Sequence, residues 1–210
     1  MAAPPSVPYV AYETIRGLAD AFLAQRHRSG AIPVPIEDIV EFQLRLDIVP
    51  VQGLRHAFEI DGFTTSDGSE IHVDAYAQEN YPSRYRFTLA HEVGHLVMHA
   101  WAYERGNFSS IQGWKDFINA MPEESASRIE AQAHCFAGLI LVPASPLRRE
   151  VEASVARISA AGLRLADVWD DAWPRIEAVV AKTFAVSADV IHRRIEFDHL
   201  DTHFRRSRGV

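Results

Sequence analysis

One cysteine, no long apolar run and no surplus of basic charge: each shortage removes a class of protein. With Cys135 alone among 210 residues no internal disulfide can form, so this is not a small stapled scaffold of an oxidising compartment. No apolar run approaches the ~20 residues of a membrane-spanning helix. The first sixteen residues, "MAAPPSVPYVAYETIR", lack the charged and then apolar pattern of a secretory leader. The 21 Lys and Arg are outnumbered by 28 Asp and Glu, for a net charge of −7, the wrong balance for a surface that collects nucleic acid or anionic lipid. These shortages together predict a cytoplasmic protein. What is present in quantity is apolar side chain, 48% of the residues, enough to build a sizeable core at this length.

Periodicity divides the chain. Apolar residues at helical intervals (Ile15, Leu18, Ala19, Phe22) predict a helix over Tyr9 to Arg28, stopped at Ser29-Gly30. A short helix from Ile36, running into a strand near Asp47 to Val51, follows Pro33 and Pro35. Alternating runs around Ser66-Asp67-Gly68-Ser69 predict an antiparallel hairpin, with strands near Phe58 to Thr64 and Glu70 to Asp74. Two long helices come next. The first starts near Pro82-Ser83 and passes through Leu89 to His99; the second spans Pro122 to Leu141, with Glu123 and Glu124 in its first turn, where the helix dipole favours acids. An aromatic-bearing connection, residues 101–121, joins them. The last third reads as helices separated near Gly162 and Pro174, and Ala178 to Phe197 has the form helix, short turn, helix.

The stretch "RFTLAHEVGHLVMH", Arg86 to His99, carries the chemistry. His91 and His95, four apart, share one helix face, so both imidazoles can reach a single ion, and Glu92 lies beside them where a reacting water would sit. Random order of this composition yields such a pentad in roughly 3% of chains, so context must decide. Gly94, within the same helix, costs ~1 kcal/mol relative to alanine and implies a packing or access requirement. A hydrolytic zinc takes three protein ligands and leaves one position open. Extending the motif in the metzincin manner would need glycine at 98 and histidine at 101, where the chain has Met98 and Trp101. The better third ligand is Glu130 in "RIEAQAHCFAGLILVP", a carboxylate on the second long helix amid Ala, Phe, Leu and Ile.

These two blocks in this order resemble the ImmA/IrrE family of metallopeptidases, whose pattern is RFTLAHELGH followed by E-x-Q-A-N-x-F-A-x-x-L-L-x-P. Arg86 to Glu92, Gly94 and His95 match the first block; Glu130, Gln132, Ala133, Phe136, Ala137 and Pro143 match the second. The resemblance implies an α+β fold: a zincin-like core over residues 1–143, with a small, mostly antiparallel sheet and active-site helices. A helical, helix-turn-helix-like part follows over 144–210. It further implies Zn2+ bound by His91, His95 and Glu130, with Glu92 as general base. In the family's manner the substrate would be a helix-turn-helix repressor encoded nearby, cut to control transcription in a stress response. One position departs: His134 stands where the family has asparagine, one turn past Glu130, a place from which a side chain can orient a ligand.

Other readings remain open on sequence alone. His99 is expected to pack or cap rather than bind metal, and Cys135 to serve as a small hydrophobe. Tyr85, Tyr103 and His134 are candidates for a separate donor to the oxyanion. The aromatic connection is long enough to act as a lid. A rival to proteolysis is a zinc-containing protein that sequesters a repressor or toxin partner without cutting it. DNA binding by the terminal helices is disfavoured, since Glu196, Asp198 and Asp201 interrupt the basic residues there.

Overall fold

In the computed structural model, which describes residues 6–104 and 108–206, the chain forms two compact units. The first comprises residues up to Ser29 together with Pro35–Ile140; the second comprises Gly30–Val34 and the residues from Leu141 on.

The first unit begins with α1 (Tyr12–Arg26), whose buried side chains are Ile15, Ala19 and Phe22. A single turn, α2 (Ile36–Asp38), widens into a π-helical stretch over Ile39–Leu44 and ends at Arg45 in the left-handed region. Strand β1 (Asp47–Val51) follows. Helix α3 (Leu54–Phe58) then occupies residues expected at the approach to the hairpin, so β2 is shorter than predicted, Gly62–Thr64. The cause is a distant cap: the Asp74 carboxylate accepts from the Arg55 N–H at 3.0 Å, stabilising the orphan donors at the start of α3, and Glu59 ends that helix at φ 62°. Strand β3 (Glu70–Asp74) pairs antiparallel with β2, as the turn residues predicted, and Gly68 takes φ 66° in that turn.

The sheet is mixed rather than mostly antiparallel. Its order is β1-β3-β2, and β1 runs parallel to β3, in register Asp47 with Glu70 through Val51 with Asp74. Between them the chain reverses twice, through α3 and through the hairpin, which restores the original direction. Pro50, lacking an N–H, is accommodated because β1 is an edge strand. On β3, Ile71 and Val73 are buried.

After α4 (Ala75–Asn80), capped by the Asp74 carboxylate on the Ala77 N–H, comes α5 (Pro82–Tyr103), which opens with proline at its first turn. Within the expected connection lies α6 (Ile111–Asn119), capped by Ser110; residues 105–107 of that connection lie outside the described residues. Helix α7 (Glu123–Leu141) follows. A cluster of Val7, Ala102, Tyr103, Phe108, Met121 and Ile129, with Trp114 and Phe117 against it, anchors this part of the core.

The second unit is helical: α8 (Ala144–Ala160), a short 3-10 turn at Leu165–Val168, α9 (Trp169–Phe184), α10 (Ala188–Phe197) and α11 (Leu200–Arg206). The break after α8 falls at Gly162, φ 78°, as expected. Pro174 does not separate helices; it sits inside α9, near its start, where it omits one backbone bond. The helix, turn, helix form of residues 178–197 is present, with Ala185 left-handed and Ser187 capping α10 through the Val190 N–H.

Candidate metal centre

Two helices build the site because one glycine lets them approach. A Cβ placed on Gly94 of α5 would lie 3.0 Å from the Ala133 carbonyl oxygen and 3.1 Å from Ala133 Cα on α7. The packing requirement expected of this glycine is therefore contact between two helix backbones. The approach presents Glu130, one turn before Ala133, to the histidines of α5. A second glycine serves the other wall: at Gly62 on β2 a Cβ would meet Thr88 Cγ2 at 2.7 Å and the His72 carbonyl oxygen at 2.8 Å, so only glycine lets the strand lie this close to α5.

His91 Nε2 and His95 Nε2 are 3.0 Å apart. The Glu130 carboxylate faces both, with Oε2 at 3.1 Å from His91 Nε2 and Oε1 at 3.5 Å from His95 Nε2. Ligand atoms held at 2.0–2.1 Å around a tetrahedral ion are roughly 3.3 Å from one another, so the separations between the two nitrogens and between each nitrogen and a carboxylate oxygen are those of ligands sharing one ion. Among the described residues, ligand atoms of His91, Glu92 and His95 also fall within 4.8 Å of one another. Glu92, however, is engaged elsewhere: its Oε2 accepts from the buried Thr64 hydroxyl at 2.8 Å. Glu130 Oε1, by contrast, is buried and has no hydrogen bond among the described residues, only the 3.5 Å approach of His95 Nε2. Two imidazoles and such a carboxylate fit a divalent metal.

Electrostatics set the two imidazoles apart. Burial, then the charges of His91 and His99, push His95 well below the ordinary histidine value, keeping it neutral as a ligand must be. For His91 burial works against the charge, but the Glu130 hydrogen bond and the carboxylates of Glu92, Glu130 and Asp61 outweigh it and raise the value. Burial pushes Glu92 up to about 7, against the lowering pull of His91 and the Thr64 hydrogen bond. A carboxyl near neutrality is poised to take and return a proton, and a dication beside it would draw the value back down.

The centre opens into a cavity of about 310 Å³ whose lining includes Asp61, Phe87, Trp114 and His134 besides the four residues above. His134 is therefore at the site, its ring 6.3 Å from that of His91 and 4.6 Å from that of Phe87. Tyr103 lies behind His95, ring centroids 5.4 Å apart, with its hydroxyl buried. Tyr85 is elsewhere, donating to Glu37 Oε1 at 2.8 Å. His99 packs as expected: Gln132 Nε2 donates to the Pro8 carbonyl, which turns Gln132 Oε1 towards His99 Nε2 at 2.9 Å. Arg128, two residues before Glu130 on α7, pairs with Glu124. One contributor was missed: Thr64 was signalled only by a threonine on the buried side of a strand.

A histidine pair on one helix, a carboxylate from a second and a buried glutamate beside them, under a small mixed sheet, define a zincin-like metallopeptidase core. Residues 56–196 match the family model described as IrrE N-terminal-like domain, peptidase M78, and the chain belongs to that family. Among solved structures it is similar to a Mycobacterium tuberculosis transcriptional regulator, with a TM-score of 0.53 at 13% identity over 89% of this chain, a likeness of fold. This chain spans about half, 47%, of that regulator's length. No curated protein matches the sequence.

Proposed function

We propose that the protein is a zinc-dependent endopeptidase that hydrolyses a peptide bond in a partner protein, with His91, His95 and Glu130 as ligands and Glu92 as general base. One observation carries this reading: Glu130 reaches both imidazoles from another helix, while Glu92, next to His91 in sequence, is held by Thr64. Two imidazoles and one carboxylate suit zinc, which when bound supplies Lewis-acid polarisation of the scissile carbonyl and acidifies water. The chain supplies proton transfer. With Oε2 fixed by the Thr64 hydroxyl, Glu92 Oε1 is left to accept the proton of the attacking water and to return it to the departing amine. The low polarity around the buried base strengthens both transfers.

The partner we assign, from the family resemblance, is a helix-turn-helix repressor whose cleavage in the cytoplasm switches transcription under stress. The test pairs elemental analysis with proteolysis. Wild type should bind about one zinc per chain and cut a subset of helix-turn-helix proteins from its native host, read by mass spectrometry. Glu92→Gln should keep the metal and cut about 10²–10⁴-fold more slowly. Equal cleavage by both would overturn the assignment of the base. Metal without cleavage, with a repressor captured intact by wild type and Glu92→Gln alike, would replace proteolysis by sequestration.

A further inference from the structure

The second unit holds a slot of its own, apart from the metal chemistry. It lies between the C-terminal half of α8 and the facing side of α9, with a volume of about 350 Å³. Ile158, Leu163, Ile176 and Val179 make its walls apolar. Leu163 and Val179 stay 51% and 46% exposed, a cost in hydration that a guest of matching character would remove. The backbone sets this up: α8 ends through Gly162, and the Leu163 N–H returns to the Ile158 carbonyl at 3.3 Å, which holds Leu163 at the rim.

The polar part of the lining has a sign. Arg157 comes from α8 and Arg175 from α9, and Asp171 is the one carboxylate among the lining residues. Neither guanidinium has a hydrogen bond or ion pair among the described residues, whereas Arg164 nearby does pair, with Asp167. Two unpaired forks beside an apolar slot match a ligand with an apolar body and an anionic head, because each fork can bind a carboxylate through two parallel N–H donors. Few polar groups on a mostly apolar lining is the general character of small-ligand sites, and this volume is within their range. At the packing density of protein interiors it takes roughly a dozen heavy atoms.

We propose that this slot binds an amphipathic monocarboxylate, its chain between α8 and α9 and its carboxylate between Arg157 and Arg175. The probe is decanoate below its micelle concentration, titrated calorimetrically into the full chain, with decanol and decylammonium as uncharged and cationic counterparts. One saturable site for decanoate is expected, at least tenfold tighter than for either counterpart. The Arg157→Ala/Arg175→Ala double variant should weaken decanoate at least tenfold, and Val179→Trp, at an exposed position on the wall, should block it. All three positions are exposed, so circular dichroism melts should match wild type. Absence of saturable decanoate binding, equal affinity for the counterparts, or undiminished binding by the double variant would overturn the proposal.

Discussion

Replacing Gly94 with alanine should loosen the grip on the metal more than it loosens the fold. The new Cβ would stand 3.0 Å from the Ala133 carbonyl oxygen, 3.1 Å from its Cα and 3.4 Å from its Cβ. Two of those are backbone atoms and cannot swing aside, so α7 must yield by a few tenths of an ångström. Helix propensity alone would favour alanine by about 1 kcal/mol, while overpacking costs about 1–3 kcal/mol. The net effect runs from near zero to about 2 kcal/mol destabilising, or a fall of at most about 8 °C in Tm at this chain length. Glu130 moves with Ala133, and metal sites tolerate displacements of only about 0.2 Å. We therefore expect zinc affinity to fall at least about tenfold, the scale on which altered ligand positioning is felt. Competition against a chromophoric chelator measures the affinity, and melts of the metal-free forms measure the fold. Wild-type affinity in Gly94→Ala would refute the idea that this close approach positions Glu130.

Two further expectations concern protons. Thr64→Val removes the 2.8 Å hydrogen bond to Glu92, a bond that lowers a carboxyl already pushed up to about 7; since the base proposed above works deprotonated, the acid limb of the pH–rate profile should move to higher pH with recovery in alkali, and an unmoved limb would show that the bond does not tune Glu92. In the second unit, the Glu177 hydrogen bond raises His192 above 6.5, so its contribution to stability is fully present below about pH 6.5 and is lost as pH rises through the raised value. His192 is half exposed, which limits the effect to under about 1 kcal/mol. His192→Ala should therefore lower Tm more at pH 6 than at pH 8, and an equal loss at both would contradict the assignment.

Much of the architecture was legible because it is locally encoded. Apolar spacing placed α5 and α7 within a few residues of their bounds, and the Ser66–Ser69 turn announced the β2–β3 hairpin. Errors arose where a distant partner intervened. Residues near Phe58 look strand-like locally, but Asp74 caps a helical turn there from 19 residues away. The parallel pairing of β1 also escaped, since strand direction depends on the number of reversals between strands rather than on either strand's composition.

The candidate metal centre divides along the same line. The sequence by itself determined that His91, Glu92 and His95 would stand together, because helical geometry alone brings residues four apart onto one face. It also offered Glu130, through a motif. Only the tertiary structure decided what each carboxylate does: α5 and α7 meet at Gly94 and Ala133, which brings Glu130 across 39 residues of chain onto His91. The hairpin puts Thr64 against Glu92, 28 residues away, and burial there raises its proton affinity. Local periodicity carries no record of contacts at such separations; they exist only once the core has packed.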